Sequence, residues 1–117
     1  MTKNEFRLLF EDALETAARN AEAKLGRTVP RRFEVELHGG APKPRLLTVD
    51  QALNEIYLGG DRFHRVIDVG VRRISPDRTT VFLGISGHPA SSLAETWNDP
   101  PGAGPFKQII SDEIATS

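Results

Sequence analysis

Three histidines, an aspartate and a serine are the residues of this sequence best suited to chemistry. They are His38, His64, His88, Asp68 and Ser86. Imidazole and carboxylate groups bind zinc and exchange protons near neutral pH, and a serine hydroxyl can act as a nucleophile. The sequence therefore allows two kinds of site. One is a metal centre at the three histidines, and the other is a hydrolytic site that combines the last two histidines with the aspartate and the serine.

The short motifs that normally fix such chemistry are incomplete here. Residues 84–88 (GISGH) are similar to the Gly-x-Ser-x-Gly turn of serine hydrolases, but His88 replaces the last glycine. Residues 100–107 (PPGAGPFK) have the glycines and the lysine of a phosphate-binding loop, yet no serine or threonine follows Lys107. The histidine spacing matches no zinc-binding helix motif. We therefore expect no cofactor and favour a protein without catalytic activity, with an enzyme as the alternative.

Composition and charge disfavour several classes of function. The chain has 117 residues, of which 38% are hydrophobic and 26% charged, and this balance predicts one folded domain over residues 1–117. With 15 basic and 16 acidic residues, no overall field attracts nucleic acid or an anionic membrane. Cysteine is absent, and the sequence shows neither a signal-peptide core nor an apolar run of membrane length. We expect a cytoplasmic protein that binds neither nucleic acid nor membrane.

A long amphipathic helix is predicted at the start of the chain. Thr2 and Glu5 form a capping-box pattern, and Gly26 supplies a residue that tolerates positive φ at the other end. Between them, apolar residues recur at helical spacing and form one stripe. The stripe consists of Phe6, Leu9, Phe10, Ala13, Leu14, Ala17, Ala18, Ala21 and Leu25. It predicts a helix that packs on a sheet through one face.

Three later segments alternate between apolar and polar residues, and each is predicted to be a strand. They are residues 33–38, 63–74 and 79–88. The turn sequence SPDR at residues 75–78 predicts a hairpin that joins the last two strands. Burying their aliphatic sides together requires odd-numbered residues to pair with odd-numbered residues. We therefore predict an α+β fold with a small, mainly antiparallel, three-stranded sheet.

Shorter features complete the predicted fold. Thr48 and Gln51 form a second capping box, which predicts a short second helix ending before the glycine pair at residues 59–60. The many glycines and prolines of residues 87–104 predict a long loop. Pro105 suits the first turn of a helix, so a short C-terminal helix is expected after it.

Five arginines and one tryptophan are candidate contacts for a partner. The arginines are Arg62, Arg65, Arg72, Arg73 and Arg78. They concentrate on the second strand and its hairpin, whereas the first helix is rich in acidic residues, and such polarity favours docking to a charged protein. Trp97 has two interpretations. It either folds over Gly70 and Gly84 and completes the sheet, or it is exposed and anchors a partner.

In size, in layout and in the opening helix of residues 5–14 (EFRLLFEDAL), the chain resembles the small cytoplasmic immunity proteins of bacterial toxin systems. Those proteins cover a toxin's active site with a charged surface and share no catalytic motif, so no individual residue is carried over. The resemblance implies stoichiometric binding of another protein, such as a toxin domain. Two alternatives stay open, a small hydrolase or metal-dependent enzyme and an accessory subunit without activity of its own.

Overall fold

A computed structural model gives the structure of the protein and describes residues 2–90 and 115–116, with side chains at positions 2–66 and 68–87. The helices are α1 (Lys3–Leu25) and α2 (Val49–Ile56). The strands are β1 (Phe33–His38), β2 (Arg45–Leu47), β3 (Tyr57–Gly59), β4 (Arg62–Ile74), β5 (Thr79–Ala90) and β6 (Ala115–Thr116). Trp97, the segment after Pro105 that is predicted to be helical, and most of the predicted loop lie outside the described residues.

Helix α1 forms where the sequence predicts it. The hydroxyl of Thr2 accepts a hydrogen bond of 3.1 Å from the N–H of Glu5. Gly26 ends the helix with a φ of 72°, and its N–H donates to the carbonyl of Glu22. Seven residues of the predicted apolar stripe are buried, Leu9 and Leu25 are half-buried, and charged residues occupy the other side. Accordingly, no helix in the described part of the chain has both the length and the apolar character needed to cross a membrane.

The predicted second helix is confirmed as α2. The hydroxyl of Thr48 accepts a hydrogen bond of 3.1 Å from the N–H of Gln51, and the side chain of Gln51 accepts one of 3.0 Å from the N–H of Thr48. This is the reciprocal pair of the predicted capping box. The helix ends at Ile56, earlier than expected, because the next three residues form β3.

The sheet differs from the predicted one. It has six strands, in which β2, β1, β5, β4 and β3 follow one another across the sheet and β6 pairs with β4. Strand β1 runs parallel to β5, and β6 runs parallel to β4. The other pairs are antiparallel. The prediction of a small, mainly antiparallel, three-stranded sheet is therefore wrong, although α1 and the β4–β5 hairpin are as expected.

Two properties of the chain explain this error. Strands β2 and β3 have three residues each and β6 has two, which is too short for an alternating pattern to be visible. The parallel partner of β1 follows only after α2, β3 and β4 in the chain, and a local pattern carries no information about so distant a pairing. In addition, β5 continues to Ala90, so the first residues of the predicted loop belong to a strand.

Both helices pack on the same face of the sheet. Their buried side chains and the inward side chains of the strands form a single hydrophobic cluster. Within it, the ring centroid of Phe6 lies 5.4 Å from that of Tyr57 and 5.1 Å from that of Phe63. The opposite face, which we call the outer face, carries the polar residues of β1 together with the alternate residues of β5.

Strand β4 departs from strict alternation. Its buried residues are Phe63, Val66, Val69, Val71 and Ile74. Three of the four steps between them span three positions, and the pairing with β5 shifts register within each of these three steps. The last two shifts each insert one extra residue in β4, as a β-bulge does, whereas at the first shift the extra residues lie in β5. The predicted pairing of odd with odd residues therefore holds around Val69 and Val71 but is lost at the bulges.

An ion-pair cluster fastens α1 to the loop that precedes β1. The guanidinium of Arg31 donates hydrogen bonds of 3.0 and 2.9 Å to Glu15 and two of 2.8 Å to Glu22. Glu22 also accepts a bond of 2.9 Å from the N–H of Val29. These bonds, with that from Arg31 the strongest, lower the pKa of Glu22 from 4.5 to about 2.

The packing of α1 predicts opposite outcomes for two leucines of the same helix. Leu14 is 1% exposed and Leu8 is 60% exposed. We expect Leu14→Asp to destabilise the protein by about 3 kcal/mol or more, because it buries an unpaired carboxylate. Leu8→Asp should change stability by less than about 0.5 kcal/mol. Urea unfolding followed by circular dichroism measures both, and an unchanged midpoint for Leu14→Asp contradicts the packing.

The Glu22 cluster predicts a contribution to stability that depends on pH. Because the pKa of Glu22 is lowered in the folded state, its charge stabilises the fold above pH 4.5, and this contribution disappears as the pH falls towards 2. We expect Glu22→Gln to lower the urea midpoint near neutral pH and to match the parent protein near pH 2. Asp12→Asn, on the exposed side of α1, serves as the control. A loss of equal size at both pH values counts against the ion pair.

Candidate functional site on the outer face

Strands β1, β5 and β4 place polar and aromatic residues side by side on the outer face. In the parallel register of β1 and β5, Glu36 lies next to Phe82, and His38 lies next to Gly84. On the other side of β5, Gly84 lies opposite Asp68. Because directly paired residues share a face of the sheet, His38 and Asp68 flank the glycine from both sides.

Four side chains on this face form a continuous series of contacts, which we call the outer-face ladder. It consists of Glu36, His38, Phe82 and Arg72. Nε2 of His38 lies 2.6 Å from a carboxylate oxygen of Glu36, within hydrogen-bond distance. The imidazole centroid lies 4.4 Å from that of Phe82. The guanidinium carbon of Arg72 lies 4.8 Å from the same ring centroid, within cation–π range.

The last bulge of β4 turns two consecutive arginines outward. Val71 and Ile74 are both buried against the helices, so Arg72 and Arg73 between them are directed to the outer face, and both are exposed. Arg72 lies over Phe82, whereas Arg73 lines a neighbouring groove. Neither arginine forms a salt bridge with another residue of the described chain. Among the described residues, the outer face therefore carries two adjacent positive charges that have no salt-bridge partner.

The groove beside Arg73 has a volume of about 490 Å³ and lies between β2 and the β4–β5 turn. Its lining includes Glu34, Glu36, Leu46, Arg73, Arg78 and Thr80. The central strands β1 and β5 supply the floor, β2 supplies one wall, and β4 with its turn supplies the other. Arg78 donates a bond of 2.9 Å to Glu34, which raises the pKa of the arginine. Arg45, which also lines the groove, pairs with Glu55 at 3.2 Å, so among the described cations of the groove Arg73 is the one without a salt bridge.

The strand register places the candidate catalytic and metal-binding residues far from one another. His64 and Asp68 are four positions apart on β4, which corresponds to about 13 Å along the strand. His38 is level with Asp68 on the far side of β5, and so it is also distant from His64. In the part of the chain that the structure describes, no group of three or more histidine, aspartate or glutamate residues is arranged to hold a metal ion.

The remaining candidates are placed as follows. Ser86 is half-buried in β5. His64 is half-buried in β4, and its Nδ1 is buried without a hydrogen-bond partner among the described residues. The side chain of His88 and the whole of Trp97 lie outside the described residues.

The five arginines offered as partner contacts divide into two groups. Arg62 and Arg65 lie near the start of β4, and Arg65 is half-buried. Arg72 and Arg73 lie near its end, about 30 Å away along the strand, with Arg78 in the adjoining turn. The second group alone borders the groove and the ladder, so it defines the positive end of the outer face.

Two residues and one contact of the site were not identified from the sequence. Glu36 had a visible signal, because residues two positions apart on a strand share a face and its carboxylate can therefore reach His38. The contact between His38 and Phe82 had none, since it depends on the parallel pairing of β1 with β5. Leu46, 64% exposed on the short strand β2, was also unmarked.

We expect two glycines at this site to differ in how well the fold tolerates their replacement by alanine. Gly39, which follows the ladder histidine, has a φ of 99°, and an added Cβ would overlap the carbonyl oxygen of Ile85. At Gly84, an added Cβ would lie 3.5 Å from the Cβ of Asp68, an ordinary contact. We expect Gly39→Ala to cost about 2 kcal/mol or more and Gly84→Ala less than about 1 kcal/mol. Equal urea midpoints for the two variants contradict this geometry.

Comparison with known proteins supplies no precedent for the site. No protein-family model, no curated protein and no solved structure matches this chain. A function for the outer face is therefore argued from its own geometry and charge.

Proposed function

We propose that this protein is a cytoplasmic binding module that acts by stoichiometric binding of another protein, as an inhibitor or immunity protein does. The observation that carries the proposal is the bulge at Arg72 and Arg73, which exposes two adjacent cations beside the half-buried ring of Phe82, neither of them in a salt bridge with another described residue. Arginine and aromatic residues are enriched at the energetic centres of protein interfaces. Free positive charge also steers an acidic partner towards this face.

The support beneath these residues favours binding as well. Strand β4 is hydrogen-bonded to β5 on one side and to β3 and β6 on the other. The stack of Arg72 on Phe82, and of Phe82 on His38, limits the rotamers of all three side chains. A surface that is ordered before the partner arrives loses less conformational entropy on association. The outer face is thus suited to recognition by a preformed surface.

The same geometry gives less support to a hydrolase or a metal-dependent enzyme. Proton transfer between side chains requires heavy atoms about 3 Å apart, directly or through one water. His64 lies four positions before Asp68 on β4, about 13 Å along the strand. The hydrogen bond of His38 to Glu36 orients an imidazole, but it lies within a stack that also buries part of the ring. Binding therefore uses more of the observed contacts than catalysis does.

The test is complex formation with the protein encoded by the adjacent gene. We expect a one-to-one complex in size-exclusion chromatography with light scattering, and loss of the partner's activity at an equimolar ratio. Arg73→Glu should raise the Kd of the complex by about tenfold or more, as expected for the loss of an interface arginine. The matched control is Arg27→Glu, which reverses an exposed arginine in the loop after α1.

Three outcomes contradict the proposal. They are the absence of a complex, equal weakening by Arg27→Glu and Arg73→Glu, and a complex whose partner keeps its full activity. The last outcome favours an accessory subunit. Thermal melting of both variants excludes unfolding as the cause of a lost complex.

A further inference from the structure

The groove on the outer face continues to the edge of the sheet. Strand β2 pairs only with residues 35–37 of β1, so Phe33 and Glu34 extend beyond its end. A notch of about 210 Å³ lies at this place. Leu46, Glu34 and Arg78 line both the notch and the groove, so the two cavities adjoin each other. Together they form a path from the sheet edge to Arg73.

The notch is the apolar end of this path. Phe33 and Leu47 line it and are half-buried, and they pack against the margin of the hydrophobic core. Leu46 stands beside them and, at 64%, is the most exposed large hydrophobic side chain of the described residues. Covering such a side chain with another apolar group removes both surfaces from water. The notch is therefore suited to one aliphatic side chain.

The groove is the cationic end of the path. Its two carboxylates are already engaged, Glu34 by Arg78 and Glu36 by a histidine. Arg73 has no salt bridge within the described chain, and the same holds for Arg32 on the rim of the notch. The charge that remains available to a ligand is therefore positive, and it attracts a carboxylate.

We propose that the groove and the notch bind an extended acidic segment of the partner protein, with an aliphatic side chain in the notch and a carboxylate on Arg73. This inference rests on the proposed function and specifies the chemistry of the partner. The path runs from the position of β2, beside β1, across β1 and β5 to β4. It therefore crosses three inter-strand spacings, about 14 Å. An extended chain covers that distance in about four residues. The recognised segment therefore has an aliphatic and an acidic residue about four positions apart.

The first test is an NMR titration of the ¹⁵N-labelled full chain with a synthetic peptide. The probe is acetyl-Thr-Leu-Thr-Ser-Thr-Asp-Thr-amide, which holds leucine and aspartate at the required spacing. We expect shifts at the backbone amides of Leu46, Arg73 and Thr80. The control peptide, with lysine in place of aspartate, should produce none of them. Absence of shifts at millimolar peptide, or equal shifts with both peptides, overturns the proposal.

Variants test the two ends of the path separately. Arg73→Glu should abolish the response to the acidic peptide, and Leu46→Ser should weaken its binding by about tenfold, the factor expected for losing one apolar anchor. Leu58→Ser is the matched control, because Leu58 is 42% exposed on β3, away from the groove. Peptide binding that is equally weakened by Leu58→Ser overturns the proposal. Shifts that depend on protein concentration without peptide also overturn it, since they identify a second copy as the occupant.

The failure of this inference can be separated from failure of the proposed function. If the partner complex depends on Arg73 but is unaffected by Leu46→Ser, and the peptides produce no shifts, the binding function stands and the groove assignment falls. If neither variant changes the affinity of the complex, both fall. A complex weakened by both variants, together with the acidic-peptide response, supports both.

Discussion

The burial of apolar β4 side chains against α1 is the constraint on which the outer face depends. Helix α1 packs mainly on this strand, and the removal of such side chains from water is the largest favourable term in the fold. Phe63, Val66, Val69, Val71 and Ile74 reach the core although their spacing does not fit a flat strand. The bulges allow these side chains to be buried while β4 remains paired with β5. The outward pair of arginines is thus a direct consequence of keeping Val71 and Ile74 both buried.

Several acidic residues of the described chain are used in structural contacts, as in the binding of Glu22 to Arg31 and of Glu34 to Arg78. Because the net charge of the chain is −1, its overall field is weak, and the proposed partner would respond to local charge instead. The balance of the whole sequence therefore says little about the charge of the outer face.

The sequence allowed the prediction of elements whose signals lie within one short segment. It did not allow the prediction of strand pairs whose members are far apart in the chain. Helices α1 and α2 could be predicted because caps and helical spacing lie within each segment. The four residues Val71, Arg72, Arg73 and Ile74 even show the break in alternation that marks the bulge. In contrast, the site's ladder needs β1 beside β5. That pairing is chosen by the packing of the whole sheet, which no local window of residues contains.

The short length of β2 determines the shape of the surface on which the proposed partner would bind. A longer strand would continue alongside Phe33 and Glu34, satisfy the edge of β1 and fill the notch. A three-residue edge strand also offers little backbone for another strand to pair with, which protects the sheet from edge-to-edge association. In the proposed complex, the partner would therefore be recognised through side chains that enter the notch and the groove. Such recognition would read the partner's sequence, because an apolar contact at Leu46 and a charged contact at Arg73 would have to be met together.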